Sequence, residues 1–158
     1  MRALQLLPLF RCCSAPKSNF EMILAKNKEW AASVVKRDPD FFNSLVDIQK
    51  PEFLYLGCSD SRVPANQIMD LKPGEVFVHR NVANIVSPAD INVLAVIQYS
   101  VEVLKVKDII VTGHYGCGGI KAAFKEHDHG PLEAWLSHIR DLRVRYRNVM
   151  LNNSQEAN

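Results

Sequence analysis

Apolar side chains at Phe20, Ile23, Leu24, Ala31 and Val34 recur near the 3.6-residue period, with Trp30 beside them, and predict an amphipathic helix over 20–36. Asp38-Pro39 reads as an N-cap followed by proline at the first helical position. It predicts a second helix to about Gln49, with Phe41, Phe42, Leu45 and Val46 on one face. Beyond Pro51 the pattern changes. Phe53-Leu54-Tyr55-Leu56 is an unbroken apolar run that predicts a strand buried on both faces and stopped by Gly57. After a turn at Lys72-Pro73-Gly74, Val76-Phe77-Val78 predicts a second buried strand. Asp90 caps a long helix with Leu94, Ile97, Val101 and Leu104 at helical spacing. Asp108–Thr112 predicts a third buried strand, ended by Gly113. A short helix follows from about Gly118, and a last one carries Leu132, Trp135, Leu136, Ile139 and Leu142. Buried strands alternating with helices predict an α/β fold, a mainly parallel central sheet flanked by helices. No internal repeat or low-complexity tract interrupts it.

Composition narrows the class. The chain has 158 residues, 47% apolar and 23% charged, which suits one globular domain with a sizeable core. A net charge of +2 offers no polyanion partner. The one basic run, Arg140, Arg143, Arg145 and Arg147, lies near a helix C-terminus, where cations suit the dipole, so no nucleic-acid partner is expected. The first twenty residues carry Arg2, Arg11 and Lys17 and no acid, leaving 16 basic and 17 acidic side chains beyond them. They read as a mitochondrial transit leader or as an untargeted, disordered extension of a cytoplasmic protein. The apolar stretch from Ala3 to Phe10 is too short to span a membrane. Residues 21–150 would then be the folded domain and 151–158 a frayed polar tail. Of four cysteines, Cys12 and Cys13 are adjacent in the leader, and Cys58 and Cys117 lie in the body with no disulfide framework around them. A reducing compartment fits, where a body cysteine is more often a metal ligand or nucleophile than half of a disulfide.

Two segments just past strand ends carry the chemistry, at the sheet edge where α/β folds bind ligands. They are Cys58-Ser59-Asp60-Ser61-Arg62 and His114-Tyr115-Gly116-Cys117-Gly118-Gly119. A lone Cys is commonly a small buried hydrophobe, and H-x-x-C alone is a short signal. Two strand ends of one parallel sheet, however, can bring Cys58, His114 and Cys117 together. Two thiolates and an imidazole suit a catalytic zinc with one open position, whose bound water would ionise near neutral pH. The glycines from Gly113 to Gly119 match neither G-x-G-x-x-G nor a P-loop. They would let the backbone pass close to metal and substrate. Asp60 and Arg62 are either a local surface ion pair or a dyad in which Arg62 keeps Asp60 ionised and aimed. Asp60 could then accept a hydrogen bond from the metal's water, or bind the metal itself and close the site.

Cys-Ser-Asp-Ser-Arg-Val-Pro at 58–64, Pro-Gly-Glu-Val-Phe-Val-His-Arg-Asn-Val-Ala-Asn at 73–84 and Gly-His-Tyr-Gly-Cys-Gly-Gly at 113–119 together resemble the β-class carbonic anhydrases. The similarity runs from about Asn27 to at least Arg140. It implies reversible hydration of CO2 to bicarbonate and a proton by zinc-bound hydroxide. It puts the Zn2+ ligands on Cys58, His114 and Cys117, with Asp60 a ligand in a closed state only, and the catalytic dyad on Asp60 and Arg62. It puts substrate-pocket positions on Gln49 (contributed to the neighbouring subunit), Phe77, Val82, Tyr99 and Gly118. It further implies a homodimer or higher homo-oligomer, with the N-terminal helix wrapped on a partner. His79, His127, His129 and His138 are proton-shuttle candidates by residue type alone; solvent-facing roles are expected of them. Gly57 and Arg80 match a bicarbonate-regulated subgroup, in which Tyr55 stands where Trp is usual.

The resemblance also sets an expectation of absence. Family members continue past the helix ending near Arg147 with another strand and terminal helices, so the C-terminal part of the fold is expected to be missing here. The competing reading is therefore a catalytically silent chain that binds zinc or associates with intact subunits. A thiol-redox protein is a third reading, disfavoured by the lack of C-x-x-C.

Overall fold

The computed structural model describes residues 20–47, 49–125 and 130–147. Most of the proposed leader, His127, His129 and the tail lie outside these residues. Two compact units divide the chain, Met1–Gln49 and Lys50–Asn158.

In the first unit, helix α1 spans Phe20–Arg37 and buries Ala31 and Val34. Ile23, expected on the apolar face, is exposed. The helix expected from Asp38 does not form. Asp38 Oδ1 instead accepts from the Asp40 N–H, and turns lead into a single 3-10 turn at Asn43–Leu45. Leu45 and Val46 are exposed, so the segment lacks the packed face that a short helix needs for stability. Trp30 meets Phe42 edge-on at 6.0 Å, and Phe42 meets Phe41 at 5.1 Å.

The second unit is built on three parallel strands, β1 (Phe53–Cys58), β2 (Val76–Asn81) and β3 (Asp108–Thr112), in the order β2-β1-β3. A four-residue helix, α2 (Ala65–Ile68), follows β1. Helix α3 (Ile91–Gln98) starts at Asp90, whose carboxylate accepts from the Asn92 N–H as expected of an N-cap, and runs on through a π-helical turn at Tyr99–Val103. Helices α4 (Gly118–Ala123) and α5 (Pro131–Arg145) complete the unit. No helix among the described residues is long and apolar enough to cross a membrane.

The apolar run of β1 is buried as its composition predicts. Leu54 and Leu56 pack on Val93 of α3, with Phe77, Val96, Ile97 and Val106 around them. Each such aliphatic side chain contributes about 1.5–3 kcal/mol when fully buried. The flanking strands are less buried than expected, because each pairs on one side only. The cluster takes in Phe77 but neither Ile109 nor Val111, which stay 46% and 58% exposed. The inward face of α3 also differs from the expected one. Val93 and Ser100 are buried while Leu94 and Val101 are exposed, because the helix is rotated to set Val93 over β1.

A second cluster lies under the ends of β1 and β3. Leu136 and Ile139 of α5 pack with Ala83, Ile85, Ala123, Cys58 and Cys117, and Leu132 and Trp135 line its side. Two arginines of the basic run at the end of α5 are engaged. Arg140 pairs with Glu133 at 2.8 Å, and Arg143 stacks 4.4 Å above the Phe124 ring.

Candidate metal centre

Cys58 ends β1, and His114 and Cys117 follow β3, so the parallel pairing of these two strands delivers all three to one sheet edge. Their ligand atoms lie within 4.8 Å of one another, and both thiols are buried. The two sulfurs are 3.8 Å apart. Two sulfurs bound at about 2.3 Å to a tetrahedral zinc stand about 3.8 Å apart, so the thiol pair needs no rearrangement to accept the ion. The imidazole is set as a ligand as well. His114 Nδ1 lies 3.1 Å from the Tyr115 carbonyl and donates to it in the matching tautomer. Nε2 is buried and has no hydrogen-bond partner. A buried nitrogen lone pair left in this way is costly unless something binds it.

The electrostatics favour a metal-binding form. Burial pushes the Cys58 thiol up, but backbone hydrogen bonds from Asp60 and Ala83 and the neighbouring His114 and Cys117 side chains outweigh it, leaving the thiol below its ordinary value. Asp60 accepts from Arg62 Nε at 2.9 Å and Nη2 at 2.7 Å, one bond to each oxygen, and from the Arg62 N–H at 2.9 Å. The Arg62 side chain, then its backbone N–H, hold the Asp60 carboxyl well below the usual carboxylate range. Asp60 Oδ2 stands 3.8 Å from His114 Nε2, beside the ligand cluster.

Other expected site residues fall into separate groups. Phe77 and Tyr99 touch, ring centroids 5.7 Å apart. Val82 gives its carbonyl to Trp135 Nε1 at 2.8 Å. Gly118 opens α4 with free space around it, whereas a Cβ on Gly119 would stand 2.9 Å from Val82 Cγ1 and 3.0 Å from Ala83 Cβ. Gly119→Ala is therefore expected to destabilise the fold by about 1–3 kcal/mol, and Gly118→Ala by less than about 0.5 kcal/mol, in urea unfolding of the two variants side by side. Gln49 is exposed in the first unit. The Tyr55 ring lies over Gly57 and leaves no room for a Cβ there. His79 and His138 are half-buried rather than solvent-facing, His79 beside the Asn81 amide at 3.4 Å and His138 edge-on to Trp135.

Three supports were not read from the sequence. Asn81 accepts from the Ile85 N–H and donates to the Ile85 carbonyl, both at 2.7 Å, bracing the 82–84 turn in which Ala83 takes a left-handed φ of 64°. Trp135 ties α5 to that turn, and Arg80 bonds the backbone of the Cys58 loop. Each of these contacts except the local Asn81 brace joins residues too distant in sequence for spacing to signal.

The carbonic anhydrase family model matches residues 53–158, about two thirds of the chain. The chain belongs to the carbonic anhydrase family. A carbonic anhydrase of Emericella nidulans is 55% identical over 122 residues, covering 77% of this chain and 54% of that protein. Among solved structures, a β-carbonic anhydrase of Aspergillus fumigatus superposes with a TM-score of 0.79 at 43% identity, covering 85% of this chain and 65% of the other. A tetrameric β-carbonic anhydrase of Sordaria macrospora does so with a TM-score of 0.79 at 44% identity, covering 84% and 68%. These likenesses make the β class the relevant one. The chain spans about half the length of the Emericella nidulans carbonic anhydrase.

Proposed function

We propose that this chain hydrates CO2 reversibly at a zinc ion held by Cys58, His114 and Cys117. The observation that carries the reading is the convergence of two thiols 3.8 Å apart with a buried, unpartnered imidazole nitrogen, next to a carboxylate kept ionised by arginine. When bound, zinc supplies a Lewis acid that brings the ionisation of water to near neutral pH. The chain's own residues do the rest. The depressed Cys58 thiol gives up its proton readily, and His114 presents Nε2 while Nδ1 is engaged by the Tyr115 carbonyl. Asp60 can only accept, since Arg62 holds it ionised, so it orients the attacking water's hydrogen away from the reacting lone pair. By the family resemblance, Val82, Phe77 and Tyr99 would supply apolar surface for a small neutral substrate, and Gln49 of a neighbouring subunit would orient one of its oxygens. The tetrameric relative supports a homo-oligomer.

A second reading, a silent chain that associates with intact subunits, draws on the exposed Ile109 and Val111 of β3. Stopped-flow CO2 hydration by the zinc-supplied 158-residue chain separates the two. The expected rate stands well above buffer background, falls on chelation and returns with zinc. A background rate from fully zinc-loaded protein would contradict the enzyme reading and favour the silent one.

A further inference from the structure

Arg80 sits in β2 opposite Gly57 of β1, one residue before the metal-ligand loop. It is half-buried, and its guanidinium is committed to backbone. Nε donates to the Cys58 carbonyl at 2.7 Å, and Nη2 donates to the Asp60 carbonyl. The next residue of β2 adds a third tie, with the Ser59 N–H donating to the Asn81 carbonyl at 2.8 Å. One planar fork thus grips the two carbonyls on either side of Ser59. The loop between them carries both a candidate ligand sulfur and the carboxylate of the dyad.

We propose that Arg80 is a positioning residue of the metal centre, its two-point grip on the Cys58 and Asp60 carbonyls setting the direction of the Cys58 sulfur and the Asp60 carboxylate together. This rests on the proposed zinc reading. Arginine suits the task because its donors are coplanar and fixed, so a two-bond contact sets orientation as well as distance. A lysine ammonium in the same place is a single point of attachment that leaves the peptide planes free to turn. Partners that orient metal ligands typically change metal affinity or activity by about 10–100-fold when removed.

The test compares Arg80→Gln and Arg80→Lys with the native chain. Zinc affinity is measured by chelator competition, the visible spectrum after cobalt(II) substitution, and folding by thermal unfolding. Arg80→Gln is expected to bind zinc about 10–100-fold more weakly, with a shifted cobalt–thiolate spectrum. Arg80→Lys is expected to restore thermal stability more than zinc affinity. If Arg80→Gln does not fold, Arg80→Lys decides alone, and native zinc affinity in it would overturn the proposal. So would a lower unfolding temperature with unchanged zinc affinity and cobalt spectrum, because Arg80 would then support the fold without aiming the ligands. A native chain that takes up neither metal would overturn the zinc reading itself; native binding with indistinguishable variants would overturn the Arg80 assignment only.

Discussion

Cys117→Ser is expected to leave a folded chain that no longer holds zinc and hydrates CO2 at the buffer rate. A serine hydroxyl stays protonated at neutral pH and cannot replace a thiolate, so the pair of sulfurs now 3.8 Å apart would be reduced to one. The loss in zinc affinity should exceed the roughly 100-fold upper range for removing an orienting partner, because a donor to the metal itself is gone. Folding is a separate cost. Cys117 packs against Leu136 and Ala123, and an unbonded hydroxyl there costs about 1–3 kcal/mol. Metal analysis after dialysis, beside a urea unfolding curve, separates the two effects. Full zinc and full activity in Cys117→Ser would show the ligand assignment to be wrong.

Asp60→Asn has the opposite signature: zinc retained and rate lost. The amide is close in shape, but it carries no charge, and its NH2 can donate where the carboxylate only accepts. A fall in kcat of about 10²–10⁴-fold is expected, the usual range for a positioned acid–base group. Because Arg62 holds the native carboxyl well below its usual range, Asp60 remains ionised wherever the enzyme would work. The substitution should therefore lower the pH–rate profile without moving its acid limb; a limb that moved would assign that titration to Asp60. The same direction fixes the sign for stability. A depressed folded pKa means that the pair's contribution is present above the unfolded value of about 4 and fades as pH falls toward the folded one. Arg62 is 67% exposed, so solvent screens that contribution.

These residues were legible in the sequence where the signal is local. The four apolar residues after Pro51 could only be buried on two faces, and they form the central strand of the sheet. Asp90 was readable as a cap because a cap is decided within two residues of chain. The convergence of Cys58, His114 and Cys117 followed from the strands, since parallel neighbours present their C-terminal ends at one edge. Legibility failed where tertiary surroundings decide. Asp38-Pro39 carries a good helix-start signal, yet Leu45 and Val46 have no packed face and the segment stays in turns. Val111 looks as apolar as Leu56, its register partner, but lies at the sheet's edge and is exposed. Arg80 looked like a candidate for bicarbonate regulation by its match to a subgroup. Its bonds to the Cys58 and Asp60 carbonyls could be found only once β1 and β2 were paired.

The central claim is that Cys58, His114 and Cys117 form an open zinc centre. Zinc-edge X-ray absorption of the metal-loaded native chain tests it most directly. The account predicts one zinc per chain with two sulfurs at about 2.3 Å and two lighter ligands at about 2.0–2.2 Å. A shell without sulfur, or one of four sulfurs shared between chains, would contradict it.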